Sequence, residues 1–248
     1  MQWTNQFYKN QFLFLKSSVE NIPTAYFERE AQKITEQVGR PFETVLELGA
    51  GMGNIANQLA LLGKEVMAIE LVKELTEHAK KYCDEKMTII CGDFYTINIE
   101  QQFDLLIYLD GFGVGNDENQ LRLLKRIYNW LSDDGYALID IYEPNYWRHV
   151  YKEEMRPTEY TKIIRQYGFD EENSRMLDTW WHMEEKNDKY TQSLACYTAE
   201  EIYDMCQQAN LEIVTYYPNG AMNFKTWTYC DIAPLHHCIS YRIKVRKK

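Results

Sequence analysis

The stretch that most constrains this chain is Val45-Leu46-Glu47-Leu48-Gly49-Ala50-Gly51-Met52-Gly53-Asn54. An aliphatic run leads into three glycines spaced Gly-x-Gly-x-Gly, and a helical pattern with Ile55, Leu59 and Leu62 on one face follows at once. Glycine removes the Cβ where backbone must turn tightly or approach a ligand closely. The amides that open the next helix then point at whatever lies above the strand. A tight strand-to-helix turn would use the same glycines with no ligand. Glu47 argues for more than a turn, because an ionised carboxylate inside an apolar strand is costly unless it has a partner.

The chain around this stretch alternates. Apolar runs at 44–48, 66–70, 87–91, 104–109 and 136–142 read as strands, with amphipathic helical patterns between most of them. Such alternation implies parallel strands joined by right-handed crossovers. Acidic residues stand at the strand ends: Glu70, then Asp93 in Gly92-Asp93-Phe94, then Asp110 in Asp110-Gly111-Phe112-Gly113. Upstream, residues 1–20 are rich in aromatics, and a helix carrying Phe27, Ala31, Ile34 and Val38 stops at Gly39, before Pro41.

The alternation breaks after Glu143-Pro144, and residues 145–170 are mixed and charged. Runs at 175–184 and 189–197 alternate about Asn187-Asp188 and predict a hairpin. Thr198-Ala199-Glu200-Glu201 has capping-box spacing for one more helix. Runs at 211–217 and 238–245 are antiparallel strand candidates, and the basic cluster from Arg242 to Lys248 reads as an edge strand with a solvated tail. At 248 residues, with no repeat or linker, a single domain over 1–248 is expected.

Glu47 to Gly53 (an acidic residue, an aliphatic residue, then Gly-x-Gly-x-Gly) resembles the nucleotide-binding motif of class I S-adenosylmethionine-dependent methyltransferases, small-molecule type. The dinucleotide-dehydrogenase fingerprint is instead Gly-x-Gly-x-x-Gly; here Asn54 holds its third position. The resemblance covers residues 40–143 and, by pattern, 198–246. It implies an α/β, Rossmann-like, seven-stranded, mostly parallel sheet with helices on both faces and a reversed last strand. An N-terminal helical cap over 1–39 and a hairpin-containing insertion over 144–197, covering the acceptor site, would complete it.

The resemblance further implies S-adenosylmethionine as cofactor, with S-adenosylhomocysteine as product. The residues implied to hold it are Tyr8 of the N-terminal arm, Glu47, Gly49, Ala50, Gly51, Gly53 and Asn54 of the glycine stretch, Glu70 with Leu71, Asp93 with Phe94, and Leu109 with Asp110. Glu70 would take both ribose hydroxyls, since a carboxylate offers two oxygens to two donors. Asp93 would accept from the adenine amine with Phe94 against the ring, and Asp110 would face the methionine moiety and the acceptor. Plainer readings stay open: a helix N-terminal charge for Glu70, a turn residue for Asp93, ordinary packing for Tyr8. The opening Trp3-x-x-x-Phe7-Tyr8 also looks like an arm that closes over such a cofactor.

The expected reaction is in-line methyl transfer to an N, O or C nucleophile, in which the protein holds the partners collinear and excludes water. A net charge of −10 and the lack of a broad basic patch argue against nucleic acid and for a small-molecule acceptor. Trp180 and His182 share one face of their strand, Trp181 and Met183 the other, so His182 is the candidate base. The same position suits the outer face of an extra sheet or an oligomer contact, and self-association is left open. Adjacent His236-His237 point apart in a strand with no third ligand at a suggestive spacing, so no metal is expected. Six scattered cysteines, no membrane-length apolar run and no basic leader suit a soluble, cytoplasmic chain that does not engage a membrane. Two other readings remain: a nicotinamide-dependent oxidoreductase on a related fold, and a methyltransferase-like binding protein without turnover.

Overall fold

The computed structural model describes residues 2–20, 22–156, 162–185 and 187–248, with side chains described at 4–13 and from residue 22 onward within those ranges. Two helices come first, α1 (Gln2–Glu20) and α2 (Thr24–Val38). α2 buries Ala31, Ile34 and Val38 and ends where Gly39 takes a left-handed φ of 68° and donates its N–H to Thr35 O. Then β1 (Thr44–Leu48), α3 (Asn54–Leu61), β2 (Glu65–Glu70), α4 (Lys73–Ala79), β3 (Met87–Cys91), β4 (Phe103–Tyr108), α5 (Asp117–Trp130) and β5 (Leu131–Tyr142) follow. Beyond them lie α6 (Pro144–His149), β6 (Glu154–Met155), β7 (Ile163–Asp170), β8 (Arg175–His182), β9 (Lys189–Ala195) and α7 (Ala199–Gln208). The chain closes with β10 (Leu211–Pro218), β11 (Ala221–Asn223), β12 (Thr228–Cys230) and β13 (Ser240–Lys247).

Seven strands form one sheet in the order β10-β13-β5-β4-β1-β2-β3. β13 runs antiparallel to both neighbours, and the other pairings are parallel. The two-residue period of a strand sorts its side chains between the faces. Leu46, Leu48, Leu106 and Tyr108 join α5 and α7 on one side. Val45, Leu105 and Ile107 meet Ala31, Ile34, Ala56 and Leu59 of α2 and α3 on the other. This is the expected Rossmann-like sheet with its reversed last strand. No helix among the described residues is long and apolar enough to cross a membrane.

Three details differ from expectation. β13 is not an edge strand: it lies between β10 and β5, and Arg242 and Lys244 are buried. Arg242 forms an ion pair with Asp140 at 2.7 Å and donates to Gln37, while Lys244 donates to Val38 O at the end of α2. The basic residues therefore anchor a helix carboxyl end to the sheet rather than a solvated tail. The fifth strand starts earlier than the run read at 136–142: Asp133-Asp134-Gly135 is a polar bulge inside β5, because buried Leu131 already pairs with Phe103 before Tyr136 pairs with Leu105.

Residues 163–170 form β7 within a four-stranded antiparallel sheet, β6-β7-β8-β9. Ile163, Tyr167 and Phe169 alternate inward, and Arg165 masks the pattern because its charge is paired with Asp178.

Candidate active site

The glycine stretch leaves β1 through left-handed φ values of 65° at Gly49, 57° at Gly51 and 72° at Gly53. These glycines face different surroundings. A Cβ at Gly53 would lie 2.5 Å from Met87 Cε, so that residue is pressed against protein. A Cβ at Gly51 would meet nothing within 4 Å. Gly51 N–H donates to Glu70 Oε2 and Val72 N–H to Oε1, each at 2.8 Å, which fixes the Glu70 carboxylate across the ends of β1 and β2. Burial raises the Glu70 pKa, and those amides oppose the rise. Beyond β3, Tyr95 N–H donates to Asp93 Oδ1 at 2.8 Å.

These groups converge on a cavity of about 300 Å³ beyond the carboxyl ends of the parallel strands, where such sheets hold ligands. Tyr8, Gly49, Gly51, Asn54, Glu70, Leu71, Asp93, Phe94, Leu109 and Asp110 all line it. Three residues of the expected set do not. Ala50 donates its N–H to Ile69 O, and Gly53 packs on Met87. Glu47 is buried in β1 with Oε2 lacking a hydrogen-bond partner among the described residues, and burial pushes its carboxyl up to about 8.

Sequence reasoning missed Thr4, Gln11 and Phe12, which line the cavity with Tyr8. Their spacing of i, i+4, i+7 and i+8 was the available signal for one face of α1. Also missed were Met52, Leu75, Tyr95, Tyr108 and Val114. The side chain of Trp3 lies outside the described residues.

At the far end of the cavity, Tyr142 OH donates to Asp110 Oδ1. Asp110 is open to the cavity yet crowded by protein, and that crowding pushes its carboxyl up to about 6. His182 is not brought to this site. It ends β8, where its Nδ1 accepts from Glu184 N–H at 3.3 Å. Its face-mate Trp180 packs with Phe7 and Ile163. Among the described residues no cluster of His, Cys, Asp and Glu is arranged to hold a metal ion.

Residues 45–135 match the methyltransferase domain family. Over that segment the chain is similar to class I, S-adenosylmethionine-dependent methyltransferases. An uncharacterised methyltransferase of Bacillus cytotoxicus is 30% identical over 109 residues, 44% of this chain and 51% of that protein. Another from Bacillus mycoides is 29% identical over 107 residues, 43% and 50% of the two chains. The chain thus spans about half the length of the curated relatives it matches. Among solved structures, the CcbJ methyltransferase from Streptomyces caelestis aligns with a TM-score of 0.75 at 16% identity, covering 94% of this chain and 96% of that one. An S-adenosylmethionine-dependent methyltransferase from Clostridium acetobutylicum gives 0.69 at 15%, covering 98% and 99%. CalS10, an amino pentose methyltransferase from Micromonospora echinaspora, gives 0.65 at 16%, covering 89% and 92%. At these identities the likeness to the solved structures is one of fold, and it extends past the methyltransferase domain proper into the N-terminal helices and the second sheet.

Proposed function

We propose that the protein transfers a methyl group from S-adenosylmethionine to a metabolite-sized acceptor. The observation that carries this reading is the pairing of an open Gly51 with a backbone-fixed Glu70 at one end of the cavity. A nucleoside could approach the backbone at Gly51, whereas Gly53 two residues on is closed by Met87. Glu70 keeps lone pairs beyond its two amide bonds for vicinal hydroxyls. Asp93 keeps acceptor capacity for an exocyclic amine, between the ring of Phe94 and the apolar walls of Leu71 and Leu75. This donor and acceptor set fits the cofactor, with Tyr8 and Leu109 toward the reacting end.

When bound, the cofactor would supply a methyl group made electrophilic by its sulfonium. The chain's own work is to bind, orient and dry the site. Tyr8 is held over the cavity by Gln192, whose Nε2 donates to its hydroxyl at 2.6 Å. In this reading residues 1–39 and 144–197 act with the methyltransferase domain as one functional unit: α1 and the segment after β4 line the cavity, and the second sheet acts on it through Tyr8, which Gln192 holds.

Calorimetry tests the reading: S-adenosylhomocysteine should bind once per chain and NAD not at all. Tight NAD binding with none of the thioether would point to the oxidoreductase alternative. Labelled methyl should enter small molecules and neither DNA nor RNA, given the net charge of −10.

A further inference from the structure

We infer that the acceptor is a small-molecule amine that enters as an ammonium ion, and that Asp110 binds this ammonium and takes its proton. The inference rests on the methyltransferase reading and assigns the Asp110 side chain to the acceptor.

Asp110 is held where a side chain is disfavoured. Its φ of 54° is left-handed, and Gly111 beside it is pressed so closely that a Cβ would lie 2.6 Å from Tyr108 Cε2. Tyr108 OH locks the bend by donating to Gly111 O at 2.6 Å. Strained backbone that carries a functional group into a cavity is a mark of a working site. The Tyr142 hydroxyl takes Oδ1, and among the described residues no hydrogen-bond donor reaches Oδ2.

Charge decides the acceptor class. Tyr142 from β5 touches Asp110, and the other titratable groups whose charge it feels are Asp140 from β5, Arg165 from β7, Asp178 from β8, and the phenols of Tyr8 on α1 and Tyr26 on α2. Arg165 is committed: its Nε lies 2.8 Å from both oxygens of Asp178, and its guanidinium lies over the rings of Trp180 and Tyr167. Asp140 is committed to Arg242 at 2.7 Å. Arg165 and Arg242 are each matched to another carboxylate, so neither is left for Asp110, and Glu70 and Asp93 line the same cavity without adding a cation. An ammonium brings the opposite charge and N–H donors for an oxygen that lacks them. An oxygen or carbon nucleophile would instead have to develop negative charge beside an unpaired carboxylate.

In the proton transfer the ammonium N–H bond breaks and its electron pair stays on nitrogen as the attacking lone pair. The proton forms an O–H bond on Asp110 Oδ2 and then leaves to solvent, one proton per methyl transferred. Burial that holds the carboxyl at about 6 strengthens it as a base while keeping it ionised at neutral pH. Tyr142 is a positioning residue, aiming the carboxylate and stabilising its ionised form.

The test uses the full chain, S-adenosylhomocysteine calorimetry, and trideuteromethyl S-adenosylmethionine incubated with a small-metabolite extract, the product linkage being read by mass spectrometry and NMR. The label should appear on nitrogen. Asp110→Asn should keep thioether affinity within about threefold while kcat falls about 100-fold or more. The wild-type kcat should decline as pH falls through about 6, as the carboxylate protonates. Tyr142→Phe should move that limb to higher pH with the neutral-pH plateau largely kept, because the bond favouring the ionised form is gone; this arm stands even if Asp110→Asn does not fold. Label on oxygen or carbon overturns the inference, as does an amine product made by Asp110→Asn within a few-fold of wild type. A tenfold loss of thioether affinity in Asp110→Asn would give the carboxylate to the cofactor instead. If the wild type binds no thioether at all, the methyltransferase reading itself fails, and the inference with it.

Discussion

Glu47 and Glu70 are both buried carboxylates, and their partners separate their roles. Glu70 accepts two backbone amides and faces the cavity, whereas Glu47 lies outside it with one oxygen unpartnered. Burial raises the Glu47 carboxyl from 4.5 to about 8, so between those values the folded chain holds a proton that the unfolded chain has released. Stability from this group is therefore fully present below about 4.5 and is lost as pH rises through about 8. Glu47→Gln should flatten the fall in Tm across that window, checked by thermal melts of the ligand-free protein at pH 5 and pH 8. An unchanged slope would show that other groups set it. Glu70→Ala should instead weaken S-adenosylhomocysteine by about 1–3 kcal/mol, the cost of unpairing hydroxyls from a charged acceptor. Gly51→Arg should abolish binding by filling the open side of the loop. At this scale the strand-end acids were legible because a charge closing an apolar run is conspicuous. Glu47 was legible as unusual, but its direction was not, since strand alternation does not say which face holds the ligand.

Between elements, Arg175 joins the second sheet to the segment after β4. From β8 it donates to the carbonyls of Gly113, Val114 and Gly115 and to both Ser193 Oγ and Ser193 O, at 2.8–3.4 Å. Ala195 N–H donates to Gly113 O beside it, so the wall that carries Gly111 and Val114 is fixed by a strand some 80 residues downstream. Arg175→Met keeps the length and removes the donors, leaving carbonyls unsatisfied. It should lower stability by about 1–3 kcal/mol in urea unfolding and weaken acceptor KM more than thioether affinity. A variant with unchanged urea midpoint would mean that Ala195 alone holds the wall. The βα units were readable from their periodicity, and so was the capping box, present as Thr198 with Glu201. β7 was not, and neither was the interior place of β13. In β13, buried Arg242 and Lys244 read as surface residues because their partners Asp140 and Val38 lie far away in sequence, and in β7 half-buried Arg165 does so because its charge is paired across the hairpin with Asp178.

Across the whole molecule, α1 bridges the two sheets over the cavity. On one side Lys9 pairs with Glu74 of α4 at 2.5 Å and Asn5 donates to Leu71 O. On the other, Phe7 packs against Ile163 and Trp180, and Gln192 donates to Tyr8. The strand order could be anticipated from chain alternation, but this closure depends on contacts between residues up to 184 positions apart, which no local pattern records. Thr4, Tyr8, Gln11 and Phe12 all line the cavity, so we predict that α1 lifts for cofactor entry and that a bound nucleoside adds contacts that hold it down. Amides of α1 should therefore exchange more slowly when S-adenosylhomocysteine saturates the protein, while those of β4 and β5 change little. Phe7→Ala removes the largest apolar anchor on the insertion side. It should raise exchange across α1 in the free protein, speed thioether association and speed dissociation more, so that affinity falls. Stopped-flow binding with exchange mass spectrometry checks this. If Phe7→Ala leaves both rates unchanged, entry takes another route, and α1 is a fixed wall rather than a moving cover.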